Sequence, residues 1–328
     1  MKGLYPLKFH PVFKDKIWGG NKIKTLLNKD FYPLPNCGET WELSSVEGNI
    51  SVVSNGWLKG RPINKVIEEF NDRLMGKTCY QNHGSSFPLL IKFIDANADL
   101  SIQVHPDDAL ARARHGSFGK TEMWYVMQAD EGSSLISGFD REMTRDKYLD
   151  FFEKGRLTEV LNREEAKKGD VFFVPAGRVH TIGKGLLIAE IQQTSDVTYR
   201  IYDFDRKDDH GNLRELHVEE ALDAIDYSFH EQYKTTYDLS ENVPTRVADC
   251  EYFTVDILSV NHRVYRDYSH ISSFLALIVT EGSMKLAGDF GEEFVEAGDV
   301  VLLPAEFEGV DLEPDKTCKF LETYIKKD

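Results

Sequence analysis

Gly169-Asp170-Val171-Phe172-Phe173-Val174-Pro175-Ala176 recurs later in the chain as Gly298-Asp299-Val300-Val301-Leu302-Leu303-Pro304-Ala305. In both copies a Gly-Asp turn leads into four apolar residues that stop at a proline. A short apolar run bounded by turn residues reads as a buried strand. Proline has no N–H to give to a ladder, so it ends the run. Upstream of the first copy stands Trp124-Tyr125-Val126-Met127 with Glu131-Gly132-Ser133. Upstream of the second stands Leu277-Ile278-Val279 with Glu281-Gly282-Ser283. Each is again a strand followed by a glycine turn. A strand–turn–strand unit that occurs twice predicts two related antiparallel barrels of the jelly-roll kind.

Working outward, further β-type runs are Phe87 to Ile94, Leu100 to Val104, Glu122 to Gln128, Leu186 to Gln192 and Thr198 to Asp203. Helical spacing appears over Pro62 to Met75, Thr144 to Leu161 and Val218 to Ile225. The fold class expected is mainly β, two jelly-roll barrels with a few helices attached to the first. The polar stretch Lys234 to Pro244 reads as the loop between them. The chain has 328 residues, 41% hydrophobic and 29% charged, the composition of a soluble globular protein with a real core. Its net charge of −16 repels nucleic-acid backbones and anionic lipid, which argues against both as partners. No long apolar run or leader is read, and Cys37, Cys79, Cys250 and Cys318 form no CxxC pair. They read as reduced thiols, pointing to a cytoplasmic protein.

Three segments carry candidate metal ligands. Gln103 and His105 lie two apart on a β-pattern, so they face the same side of a strand. His180 ends a Gly-x5-Pro-x-Gly-x2-His pattern that begins at Gly169, and Glu122 follows Lys120 in Gly119-Lys120-Thr121-Glu122. Taken alone, Gln103 and His105 read as a polar pair on a solvated strand face, whereas the spacing before His180 favours a ligand over a core or loop histidine. Together they offer two imidazole nitrogens, a neutral amide oxygen and a carboxylate to one divalent cation. Two histidines and a carboxylate suit Zn²⁺, and Fe²⁺, Mn²⁺, Co²⁺ or Ni²⁺ also fit. In the second copy of the repeat Glu306 and Gly309 stand where the first has Gly177 and His180. Residues 1–235 are therefore expected to form a catalytic metal-binding domain, and 236–328 a degenerate barrel without metal ligands.

Lys92, Lys120 and Arg200 are the cations expected in the cleft. Lys92 interrupts the apolar run Pro88 to Ile94, so it needs an anionic partner. Asp196 is four residues from Arg200 and is expected to orient it. Glu190 reads either as an inward acid or as an outward strand residue. His115, His210, His217, His262 and His270 sit in polar contexts without partner spacing and read as surface residues. The sequence has no nucleophile elbow, P-loop or dinucleotide fingerprint.

The pattern around His180 resembles the second signature of the cupin family. The wider set resembles the type I mannose-6-phosphate isomerase (phosphomannose isomerase) family in its shorter bacterial branch. The resemblance runs from Pro11-Val12-Phe13-Lys14-Asp15-Lys16-Ile17-Trp18-Gly19-Gly20 and Gly38-Glu39-Thr40-Trp41-Glu42-Leu43-Ser44, through the Gln103 and Glu122 segments, to Gln192-Gln193-Thr194-Ser195-Asp196-Val197-Thr198-Tyr199-Arg200. It implies two cupin-type barrels and one Zn²⁺ per chain on Gln103, His105, Glu122 and His180. It also implies active-site roles for Arg200 and Lys120, with Lys92, Ser101, Glu190 and Asp196 lining the pocket. The implied reaction interconverts mannose 6-phosphate and fructose 6-phosphate through a cis-enediol, by proton transfer between C2 and C1. In that reading Lys92 and Ser101 hold the phosphate, while Lys120 and Arg200 sit near the reacting carbons. The base is a metal-bound hydroxide, Glu190 or Lys120. The expected partner is a small sugar phosphate, and the chain acts as a monomer or homodimer. The alternatives are a non-catalytic sugar-phosphate-binding cupin and a cupin metallo-oxygenase, the second disfavoured by Gln103 and the basic cluster.

Overall fold

The computed structural model describes residues 3–207 and 211–326. Contacts divide the chain into two compact units. One holds Phe13–Thr40 and Lys92–Thr235; the other holds Met1–Val12, Trp41–Ile91 and Thr236–Asp328. A linear division at residue 235 leaves out this interleaving, and strand pairing explains it. Leu7–His10 runs antiparallel to Val300–Leu303, with Leu7 opposite Leu302, and its other edge takes Val52–Val53. That seven-stranded sheet continues through Leu275–Glu281, Cys318–Tyr324, Thr254–Val260 and Thr245–Asp249. With a four-stranded sheet it encloses a core that includes Leu258, Leu277, Leu286, Val301 and Phe320.

The unit containing the candidate ligands has a five-stranded sheet in the order Tyr199–Tyr202, Ile102–Val104, His180–Ile182, Ser134–Phe139 and Leu161–Glu165. Its other strands Lys234–Thr235, Val171–Val174, Glu122–Ala129 and Leu186–Gln193 belong to a seven-stranded sheet that also takes in Leu89–Ala96, Glu39–Leu43 and Val12–Lys14. The two-residue period of a strand then sorts the side chains. Ile102, Val104, Tyr199 and Ile201 face an outer core with Tyr148, Ala221 and Leu222, which come from the helices Arg145–Glu153 and Val218–Ala224. Leu135 and Ile182 face inward onto Trp124, Val126, Phe172, Leu186 and Ile188. The mainly β expectation holds, and the expected strands form within a residue or two of their anticipated ends.

The helices depart further from expectation. Pro62 to Met75 is not continuous: Asn71, at φ 48°, separates Ile63–Phe70 from Asp72–Met75. Thr144 caps the next helix, its side chain accepting from the Lys147 N–H, but the helix ends at Glu153 and Gly155 turns the chain at φ 67°. Lys22–Leu27, Lys77–His83 and Asp108–His115 form three further short helices. His210 lies outside the described residues.

Tyr148 is fully buried against Phe139, Phe152 and Tyr227, and its hydroxyl has no hydrogen-bond partner. Removing an unsatisfied buried hydroxyl relieves its desolvation. Tyr148→Phe is therefore expected to leave the unfolding free energy unchanged or raise it by up to about 1 kcal/mol. Phe139→Ala, which empties part of the same core, is expected to lower it by about 3–5 kcal/mol. Urea unfolding of the two variants checks this, and a clearly destabilised Tyr148→Phe would contradict it.

Candidate active site

Gln103 and His180 are directly opposite each other on neighbouring strands, and Arg200 is opposite Gln103 on the far side. The three thus form one row across the five-stranded sheet. His105 follows the end of the Gln103 strand. Glu122 and Glu190 come from adjacent strands of the other sheet, where Glu122 stands opposite Gln192 and Glu190 opposite Trp124. Period-two alternation on both sheets brings these polar side chains to one end of the interior, beyond the apolar layer of Trp124, Val126 and Ile188.

His105, Glu122 and His180 are all buried, and their candidate ligand atoms lie within 4.8 Å of one another. His180 Nε2 is 3.4 Å from Glu122 Oε1, and His105 Nε2 is 3.6 Å from Glu122 Oε2. Each imidazole is fixed from behind. His105 Nδ1 is 2.9 Å from the Val197 carbonyl, and His180 Nδ1 is 2.8 Å from the Arg178 carbonyl. A carbonyl only accepts, so each Nδ1 must carry the proton and each Nε2 keeps a lone pair. Burial presses the His180 imidazole down to about 4. Burial also holds His105 well below the ordinary histidine range, with Lys120 and His180 adding to the effect. Both rings are therefore neutral near pH 7, and their contacts with Glu122 are not ion pairs.

Neither oxygen of Glu122 has a hydrogen-bond partner, although the side chain is fully buried. Burial, reinforced by Glu190, pushes its carboxyl up to about 7 against the pull of Lys120 and Lys92. Two imidazole lone pairs and a partnerless carboxylate make a donor set that fits a divalent transition metal. Gln103 lies beside it. Its Nε2 lies 3.2 Å from His180 Nε2, and a half-turn of the amide presents Oε1 instead. Ser101 Oγ is 3.4 Å from Gln103 Oε1, so Ser101 contacts the amide itself. Lys120 Nζ faces the same focus, 3.1 Å from His105 Nε2 and 3.4 Å from Glu122 Oε2.

Lys92 has the anionic partner its sequence context demanded. Its Nζ lies 3.0 Å from Glu190 Oε1 and donates to Gln192 Oε1 at 2.7 Å. Glu190 is therefore an inward acid, and its other oxygen accepts from Trp124 Nε1 at 2.9 Å. Burial alone would raise Glu190, but Lys92 and Lys120 outweigh it and hold the carboxyl below its ordinary range. With Lys92 committed to Glu190, a phosphate role for it requires that pair to open. Asp196 is exposed, and Arg200 Nη1 is held instead by the Glu215 carbonyl at 2.7 Å. Arg200 Nε is buried and has no partner. The sequence reading passed over Gln192 and Trp124. Their spacing of two from Glu190 and Glu122, on the same strand faces, was the available signal.

Residues 6–134 match the catalytic domain of type I phosphomannose isomerase. Mannose-6-phosphate isomerase ManA of Bacillus subtilis is 38% identical over 305 residues, covering 91% of this chain and 93% of that protein. Mannose-6-phosphate isomerase of Streptococcus mutans is 36% identical over 300 residues, covering 91% and 92%. A solved structure of the mannose 6-phosphate isomerase from Bacillus subtilis superposes with a TM-score of 0.87 at 32% identity, covering 98% of this chain and 99% of that one. The two-barrel cupin fold is shared along essentially the whole length, and the chain belongs to the type I phosphomannose isomerase family.

Proposed function

We propose that this protein is a metal-dependent aldose–ketose isomerase that interconverts mannose 6-phosphate and fructose 6-phosphate. The observation that carries the reading is the convergence of two fixed imidazole lone pairs on a buried carboxylate, beside Lys120. Gln103, His105, Glu122 and His180 would hold one Zn²⁺ per chain. When bound, the cation polarises the substrate's carbonyl and hydroxyl oxygens and stabilises negative charge that develops on them.

The chain's own groups account for the rest. The C2 proton is removed and returned to C1 while a second proton shifts from O2 to O1, and Lys120 Nζ, beside the ligand focus, stands next to the reacting carbons. The cis-enediol forms between the two transfers. Glu190 is disfavoured as the base because Lys92 and Trp124 occupy both its oxygens. Its pair with Lys92 serves to steady the charge around Glu122. Arg200, with a free buried Nε, meets the substrate's negative charge, and Arg206 and Arg214 nearby share Asp203 and leave that edge positive. Ser101 orients Gln103. All of these residues come from one chain, so a monomer suffices for one site. The free cysteines fit a cytoplasmic setting, and no described helix is long and apolar enough to cross a membrane.

Fructose 6-phosphate formation from mannose 6-phosphate is expected to vanish on chelation and return with Zn²⁺. A metal-restored protein without turnover would overturn the isomerase reading. Lys120→Ala is expected to lower kcat at least about a hundredfold with metal content unchanged; normal turnover would remove Lys120 from its role. Metal affinity should also depend on pH. Glu122 must be ionised to bind, so affinity is expected to be flat above about 7 and to fall about tenfold per pH unit below it. His180, at about 4, adds no proton until the lower end of that range. Chelator competition across pH 5 to 8 measures the slope, and a pH-independent affinity would show that the Glu122 carboxyl is not raised into that range.

A further inference from the structure

We propose that His217 is a positioning residue that sets Arg200 against the metal-ligand row, an inference that rests on the isomerase reading above. The strand Tyr199–Tyr202 is the edge of its five-stranded sheet: among the described residues it pairs with Ile102–Val104 on one side and with no strand on the other. An edge strand leaves backbone groups without ladder partners. At Arg200 both are taken by one residue. The His217 N–H donates to the Arg200 carbonyl at 2.7 Å, and the Arg200 N–H donates to His217 Nδ1 at 3.2 Å.

This closure has a geometric consequence. Because the N–H and C=O of Arg200 point to the outer edge, Arg200 and Gln103 form a non-hydrogen-bonded antiparallel pair. Such pairs bring directly opposite side chains closest together. Arg200 is thereby fixed beside Gln103, which is itself beside His180. The same short segment also holds the guanidinium, since Nη1 donates to the Glu215 carbonyl at 2.7 Å. The helix Val218–Ala224 starts directly after His217 and buries Ala221 and Leu222 in the outer core, so the imidazole is anchored from its C-terminal side. With the backbone and Nη1 both occupied, the buried Nε has no hydrogen-bond partner and is a donor available to a ligand. The Arg200 N–H needs an acceptor, so His217 must keep its Nδ1 lone pair.

The test is a double-mutant cycle in the metal-loaded, full-length protein. His217→Ala is expected to lower kcat/KM about tenfold, the worth of one hydrogen bond, with metal content unchanged. In an Arg200→Ala background the same change is expected to add nothing, because its effect runs through Arg200. Affinity for glucitol 6-phosphate, which has no carbonyl and cannot isomerise, should follow the same pattern by calorimetry. His217→Asn, whose Oδ1 reaches the place of Nδ1, is expected to restore function, and His217→Gln, whose amide reaches the place of Nε2, is not. This pair carries the test if the alanine variant folds poorly. A full loss persisting in the Arg200→Ala background, or equal behaviour of Asn and Gln, would overturn the proposal. If the wild-type protein turned over no substrate, the isomerase reading would fall instead, and the binding cycle would still judge His217.

Discussion

A fully buried carboxylate is the constraint around which the catalytic end of this protein is arranged. Glu122 is fully enclosed, and Lys120 Nζ approaches one of its oxygens at 3.4 Å. Such a group is costly unless positive charge compensates it. Lys120 and Lys92 supply part of that charge, and the imidazole lone pairs beside it make the remainder a place for a cation. Burial also keeps both histidines neutral, as ligands must be. One physical cause, exclusion of water from the barrel end, thus prepares the carboxylate and both imidazoles.

The other unit shows what the same layering becomes when its polar end is satisfied from within. Glu322 is as deeply buried as Glu122, but Arg266 meets it at 2.7 and 3.2 Å and the Tyr268 hydroxyl donates to it at 2.6 Å. Asp256 is held likewise by Arg246 Nε at 2.5 Å and by the Tyr324 hydroxyl at 3.2 Å. Each carboxylate has its donors, and among the described residues the His105, Glu122 and His180 group is the one cluster able to hold a metal. A closed arginine–carboxylate network rigidifies a barrel end. An open donor set gives it chemistry.

The Lys92–Glu190 pair links the two themes. It is a buried ion pair whose partners also hold Gln192 and Trp124. Breaking such a pair strands a charge and typically costs about 3–5 kcal/mol. Its value at this site is electrostatic order: Glu190 repels Glu122 while Lys92 attracts it. Arg200 and His217 repeat the principle at the sheet edge, where backbone groups that no strand can satisfy are met by a side chain and fix a functional residue in passing.

The sequence by itself determined the alternation. Alternation on a strand pattern put Gln103 and His105 on one face, and Lys92 in an apolar run obliged an acid to stand near it. Both are local consequences of pleat and burial, so a linear string suffices to show them. The tertiary structure decided what depends on pairing between distant segments. Leu7–His10 joins Val300–Leu303 because hydrogen-bond ladders ignore distance along the chain. Glu190 became the partner of Lys92, while Asp196 stayed exposed. His217, which read as a surface residue, closes the edge beside Arg200. A side chain's acceptor is visible in sequence, but the orphan donor it satisfies exists only once the sheet has an edge.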